Sequence, residues 1–179
     1  MVARADAARS RAAILRAAAE LVADRSGELR LSAVARAAGV GQGTLYRHFP
    51  TQEDLLRALY TGEIDELVAE ATTLVAAHPP PEALRRWFDR LAAYARVKLG
   101  VVAAVEDSVW TDLHAQTPGK LGAALTTLLT AGSADESLRA DVDPRDVVLL
   151  SWFLAHVEDA EWDERVPRLL DVLVAGLRA

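Results

Sequence analysis

The sequence predicts an all-α protein. Alanine and leucine, both strong helix formers, dominate it. No segment shows the sustained two-residue alternation that a strand needs, and apolar residues recur at steps of three and four between proline and glycine stops. At 179 residues and 51% hydrophobic content, the chain can build one or two small domains with packed cores.

The first helix is expected from about Ala7 to Arg25, with Ile14, Ala18, Leu21 and Val22 at helical steps and Gly27 as its stop. The residues before it, about the first eight, read as a tail. A short helix over about Leu31–Ala38 closes at Gly39, and another over about Gln42–His48 cannot extend through Pro50. Thr51 followed by Asp54 is an N-cap with an acid in the first turn. It opens a helix of roughly 26 residues, or about 39 Å. Leu55, Leu56, Leu59, Ile64, Leu67, Val68, Ala71, Leu74 and Val75 are its apolar positions. Gly62 interrupts that helix, either as a bending point or as a glycine kept for close contact.

The prolines at 79, 80 and 81 break the chain. The next helix carries Leu84, Trp87, Phe88, Leu91 and Tyr94 and is expected to end near Gly100. Val102 to about Gln116 reads as a further helix with Val105, Val109, Trp110 and Leu113. Thr117-Pro118 pairs a cap with a first-turn proline and opens a helix through Leu121, Leu125, Leu128 and Leu129, with Gly132 as its expected stop. A polar connection leads to Asp143-Pro144, which repeats the device ahead of Val147, Leu150, Ser151, Leu154 and His156. The last helix is expected from about Asp163 to Leu177.

The composition excludes several classes. Without cysteine there is no disulfide, thiol nucleophile or thiolate metal site, which fits a reducing cytoplasm. The longest apolar run, Leu99 to Val105, falls far short of the roughly 20 residues of a spanning helix. The Arg- and Ala-rich start carries Asp6, Glu20 and Asp24, unlike an acid-poor transit peptide. His78, His114 and His156 have no ligand spacing, and no set of side chains reads as catalytic, so neither metal, cofactor nor enzyme activity is expected.

The net charge of −6 conceals a division. Residues 1–50 hold eight arginines and four acids, a charge of +4, and the remainder carries −10. Within the basic part, LSAVARAAGVGQGTLYRHF (31–49) reads as two short helices joined by a glycine turn, a helix-turn-helix pattern. Small Ala35 and Ala38 allow a close crossing, and Gly39 permits a left-handed helix end. Val40, Leu45 and Phe49 are expected anchors against Ile14, Leu21 and Val34. Gln42, Gly43, Thr44, Tyr46, Arg47 and His48 face outward, where several can donate to phosphates and Gln and Arg can read base edges. Tyr46 taken alone could equally be a half-buried packing residue. The glycines at 39, 41 and 43 do not make a nucleotide loop, because a helix precedes them instead of a strand. The arginines at 4, 9 and 11 are either solvated charges or phosphate and minor-groove contacts.

GVGQGTLYRHFPTQEDLLRAL closely resembles the recognition helix and following helix of the TetR family of bacterial transcriptional regulators, and RAAILRAAAELVADRSG resembles that family's first helix. The match covers about residues 9–60. The resemblance implies an N-terminal three-helix helix-turn-helix domain, residues 1–60, joined by a long helix to an α-helical ligand-binding and dimerisation domain, residues 61–179, with about nine helices in all. It places Thr44, Tyr46 and His48 at phosphates and nearby bases, Gln42, Gly43 and Arg47 at positions that set the operator sequence, and Ser32 on the DNA face of the preceding helix. Two departures stand out. Gln52 occupies a position where the family commonly has Lys, so a phosphate contact there lacks its charge; Arg30-Leu31 stands where many members have Thr or Ser.

In the acidic part, six of the ten aromatic residues are Trp87, Phe88, Tyr94, Trp110, Trp152 and Phe153. They are either core or, in part, the lining of a cavity between helices. The resemblance favours a cavity, with Trp87, Tyr94, Trp110 and Phe153 as wall residues. It also implies a two-fold dimer interface on the last two helices, through Val147, Leu150, Leu154, Leu170, Val174 and Leu177. The function expected is a cytoplasmic, homodimeric, ligand-responsive repressor that binds a palindromic operator and is released by a small-molecule effector. The alternatives are an activator of the same family, a helical ligand-binding protein with weak or lost DNA affinity, and a small enzyme, the last without a catalytic set to support it.

Overall fold

The computed structural model describes residues 2–24, 29–104, 115 and 117–179. Its helices are α1 (Val2–Asp24), α2 (Leu31–Ala37), α3 (Gln42–His48), α4 (Gln52–Ala77), α5 (Pro80–Ala104), α6 (Thr117–Ala134), α7 (Pro144–Leu150) and α8 (Trp162–Gly176). Two 3₁₀ turns, Ser151–Ala155 and Asp159–Glu161, lie between α7 and α8. Among the described residues the only extended pairing is a single bridge between Leu138 and Arg178. No described helix is long and apolar enough to cross a membrane. The helix expected from Val102 to Gln116, including Trp110, lies outside the described residues except for its first three positions and Ala115.

The ends of several helices differ from expectation for local reasons. α1 begins at Val2, because half of the supposed tail is alanine and Asp6 pairs with Arg9 one turn on. α5 continues through Gly100 to Ala104. One helical glycine costs only about 1 kcal/mol, and buried Val97 and Val101 anchor the turns beside it. The helix expected through His156 stops being α-helical at Leu150. There the Ser151 hydroxyl donates to the Val148 carbonyl at 2.7 Å, and the His156 N–H bonds Phe153 three residues back at 2.8 Å. α6 passes through Gly132, which is not a stop. Its carbonyl accepts from the Ser137 and Leu138 N–H groups at 2.9 and 3.0 Å, so the following turn folds back onto the helix.

Two caps match the sequence reading. Thr51 and Asp54 close a reciprocal box at the start of α4: the Thr51 Oγ1 accepts from the Asp54 N–H at 3.0 Å, and the Thr51 N–H donates to the Asp54 carboxylate at 3.2 Å. The Asp143 carboxylate accepts from the Arg145 N–H at 2.7 Å, with Pro144 at the first helical position of α7.

The described chain divides into two compact units. One holds the residues up to Gly62 and the segment that starts at Arg96; the other holds Glu63–Ala95 and the segment that ends at Ala179. The first unit is built around Ile14, Ala18, Val34, Leu45, Phe49, Leu55 and Leu56. Leu21 and Val40, expected as anchors, are half-buried at its edge.

In the second unit Trp87 and Phe88 lie fully buried with their rings edge-on, 5.7 Å apart. The Trp87 indole N–H donates to the Leu67 carbonyl at 2.9 Å, so the one polar atom of this side chain is satisfied. Ion pairs line the outside of this unit: Arg90 with Glu70 at 2.8 Å, Lys120 with Asp65 at 2.5 Å, and Arg85 with Asp171 at 2.7 Å.

Candidate nucleic-acid interface

The turn between α2 and α3 has its geometry imposed by Gly39. With φ at +67°, that residue sits in the left-handed region where a side chain is disfavoured. The Gly39 N–H bonds Arg36 at 3.2 Å and the Val40 N–H bonds Ala35 at 3.0 Å. This is the paired pattern of a Schellman helix end, and it satisfies two carbonyls that the end of α2 would otherwise leave open. The chain is thereby turned into Gly41, whose carbonyl accepts from Thr44 and Leu45 at 2.9 and 3.1 Å and starts α3. α2 itself follows Arg30 at its N-cap position with no side-chain cap bond, as the absence of Ser or Thr there implies.

α3 is held from beneath by Leu45, which is buried, and by Phe49, whose N–H closes the helix on the Leu45 carbonyl at 2.8 Å. Both α2 and α3 pack against α1. Everything else on α3 is turned outward. Gln42, Gly43, Tyr46 and Arg47 are exposed, and Thr44 and His48 are half-exposed. Tyr46 leaves 50% of its surface open, a large aromatic area for a side chain with no packing role of that extent. A Cβ placed on Gly43 would meet nothing within 4 Å, so the backbone there is open to close approach. Ser32, second in α2, is exposed, and Gln52, first in α4, is half-exposed. Seven residues of one helix therefore present an amide, a glycine backbone, two hydroxyls, a guanidinium and an imidazole from a buried anchor. That is a donor-rich surface suited to phosphate oxygens and base edges.

One partnership on this unit is absent from the sequence reading. The Arg11 guanidinium of α1 lies over the Phe49 ring, 5.4 Å from its centroid, and the His48 ring stands 6.3 Å from that of Phe49. Helical spacing in α1 gives no sign of it, because the partner is 38 residues away.

The other expected residues fall in the second unit. Trp87 and Tyr94 are buried there, Phe153 is half-buried on the 3₁₀ turn, and Trp110 lies outside the described residues. Of the six residues expected at a dimer interface, Val147, Leu154, Leu170, Val174 and Leu177 are buried inside their own chain; Leu150 is 58% exposed. The large apolar side chains left open on the same elements are Leu149, Leu150, Trp152, Leu169 and Val172, with Trp152 62% and Val172 66% exposed. The change to 3₁₀ geometry at Ser151 alters the spacing of side chains from there to Ala155, the stretch that carries Trp152 and Leu154. Within α8 the buried line Val166, Leu170 and Val174 lies beside the open line Leu169 and Val172. Among the described residues, no group of three or more His, Asp or Glu side chains could hold a metal ion.

Comparison with known proteins agrees with this geometry. Residues 14–59 match the family model of bacterial regulatory proteins of the tetR family, and residues 79–179 match that of the C-terminal domain of SbtR-like transcriptional regulators. No curated protein sequence matches the chain. Among solved structures, a TetR transcriptional regulator from Streptomyces coelicolor is 34% identical over 94% of this chain and 98% of its own, with a TM-score of 0.85. A TetR regulatory protein from Mycobacterium vanbaalenii is 35% identical over 98% and 99%, with a TM-score of 0.74. A structure that describes control of antibiotic production by bacterial hormones is 26% identical over 94% and 97%, with a TM-score of 0.65. The matches cover both the helix-turn-helix and the helical body, and the chain belongs to the TetR family of bacterial transcriptional regulators, which are DNA-binding transcription factors and not enzymes.

Proposed function

We propose that the protein is a cytoplasmic homodimeric repressor that binds a palindromic operator and leaves it when a small molecule binds the helical body. The observation that carries this reading is the outward face of α3, held by buried Leu45 and Phe49 behind a glycine-dependent turn. Residues 1–60 form the reading head in this proposal, and residues 61–179 form the sensing and dimerisation domain. Thr44, Tyr46 and His48 hold phosphates and nearby bases, Gln42, Gly43 and Arg47 select the sequence, and Ser32 and Gln52 flank them.

Two recognition helices of a dimer enter successive major grooves about 34–36 Å apart, which requires a two-fold operator. The second copy covers the open apolar face of Leu149, Leu150, Trp152, Leu169 and Val172, backed by the buried Val147, Leu154, Leu170, Val174 and Leu177. The effector site draws on the aromatic set Trp87, Tyr94, Trp110 and Phe153. Trp87 contributes a rigid wall, since its indole N–H is already committed to Leu67. A ligand that prefers the form unable to bind DNA shifts the population away from the operator. The kinship with a protein concerned with bacterial hormones supports a small organic effector.

Selection from randomised duplexes tests this reading. A palindrome is expected, with binding that falls steeply as salt rises. Tyr46→Ala should abolish recovery of the site while leaving the helical content unchanged. Failure of the unmodified protein to enrich any sequence would refute the DNA-binding proposal. That result would favour a ligand-binding protein without DNA affinity, the alternative that Gln52 and the acidic body motivate.

A further inference from the structure

Three side chains from two distant parts of the sequence meet behind the end of the recognition helix. Phe49 caps α3 and is 2% exposed. The Arg11 guanidinium lies 5.4 Å above its ring, and the His48 ring, tilted by 45°, lies 6.3 Å from it. Arg11 is exposed, so its planar cation covers an aromatic face on the outside of the unit. Such a contact favours Arg over Lys, because a flat guanidinium stacks where a compact ammonium cannot. Arg9, the neighbouring arginine, is already paired with Asp6 on its own helix.

We infer that Arg11 is a positioning residue for operator recognition: it clamps Phe49 and, through it, sets the roll of α3 and the place of His48, without itself being a phosphate contact. The inference rests on the proposed DNA-binding function. It separates two roles that a sequence cannot distinguish in an exposed arginine near a helix-turn-helix. A phosphate contact adds affinity for every duplex alike and steepens the salt dependence. A clamp on α3 leaves the number of neutralised phosphates unchanged and alters how well the helix tells one base from another.

The experiment compares the full-length wild type, Arg11→Met and Arg11→Lys. It uses the duplex recovered by selection and single-mismatch versions of its half-site, across a series of salt concentrations. Arg11→Met should weaken binding to the intact site by about tenfold for two heads. It should reduce discrimination against mismatches opposite the end of α3 and leave the slope of affinity against salt unchanged. Arg11→Lys keeps the charge but not the plane, and should lose discrimination as well. Circular dichroism and the thermal midpoint establish that both variants are folded at the assay temperature.

A full rescue by Lys, together with a salt slope lowered by about one phosphate per head in the Met variant, would overturn the inference and make Arg11 a phosphate contact. Wild-type affinity and discrimination in both variants would overturn it too. A wild type that enriches no duplex would mean failure of the DNA-binding proposal itself, which is a distinguishable outcome.

Discussion

Replacing Gly132 by alanine puts a methyl group where the fold already has a side chain. A Cβ there would lie 2.3, 2.4 and 2.7 Å from Leu138 Cδ1, Cγ and Cβ. Contact with Cβ means that a change of rotamer at Leu138 is not enough; its backbone must move. That backbone is tied on both sides. The Leu138 N–H bonds the Gly132 carbonyl, and the Arg139 N–H donates to Leu177 at 2.9 Å in the bridge to the C-terminal residues. Alanine gains about 1 kcal/mol of helix propensity over glycine. Against it stands overpacking of about 1–3 kcal/mol, or ejection of the buried Leu138 side chain at about 2–3 kcal/mol, with a loosened hydrogen bond worth about 1 kcal/mol more. The net expectation is a loss of about 1–3 kcal/mol.

Urea unfolding followed by far-ultraviolet circular dichroism measures this loss, and a double-mutant cycle identifies its cause. In a Leu138→Gly background, which removes Cβ as well as the atoms beyond it, the obstruction is gone, so the same Gly132→Ala change should stabilise by up to about 1 kcal/mol. Gly62→Ala is the control. A Cβ at that helical position meets nothing within 4 Å, so alanine should stabilise by about 0.5–1 kcal/mol. If Gly132→Ala proves as benign as Gly62→Ala, or behaves alike with and without Leu138, the close-approach argument fails.

Other expectations concern the caps, charge and open face. Thr51→Ala removes the hydroxyl half of the α4 box and should cost about 1 kcal/mol in the same urea assay, whereas Thr51→Ser should cost much less. Burial raises the Glu63 carboxyl above its ordinary value, against the attraction of Arg90, while Glu66 adds to the rise. A raised native value favours the protonated form, so stability is lost as pH climbs through it. Glu63→Gln should therefore be more stable than wild type at pH 8, with the difference closing as pH falls below the ordinary carboxylate value of about 4.5. Leu150→Asp, on the open apolar face, should convert a dimer to monomers in sedimentation while leaving the helical content intact; an unchanged sedimentation coefficient would contradict the proposed interface.

Much of the molecule was legible in the sequence because its signals are local. Gly39 had to follow α2, Thr51 had to open α4, and Asp143-Pro144 had to open α7, and the structure has each of these. The outward set on α3 was readable for the same reason: in a seven-residue helix with Leu45 as anchor, the remaining faces are dictated by the helical turn. The open face near α7 and α8 was less legible. Which apolar residues of α7 and α8 stay open depends on what each helix packs against, and at Ser151, whose hydroxyl bonds Val148, the geometry also changes from α to 3₁₀. Gly62 was expected within its helix and Gly132 as a helix stop, yet both lie inside leucine- and alanine-rich helices. One points into open space and the other against Leu138.

Propensity, caps and turn chemistry act over a few residues, so the sequence determined the all-α class, the helix order, the helix-turn-helix and its basic charge. It also carried the kinship with TetR regulators that the comparisons establish. What only the tertiary structure decided are meetings between distant residues: Arg11 over Phe49, Trp87 donating to Leu67, Leu138 filling the space of Gly132 and bridging to Arg178. These follow from which surfaces can be removed from water together. That depends on the whole packing arrangement and leaves no periodic trace along the chain.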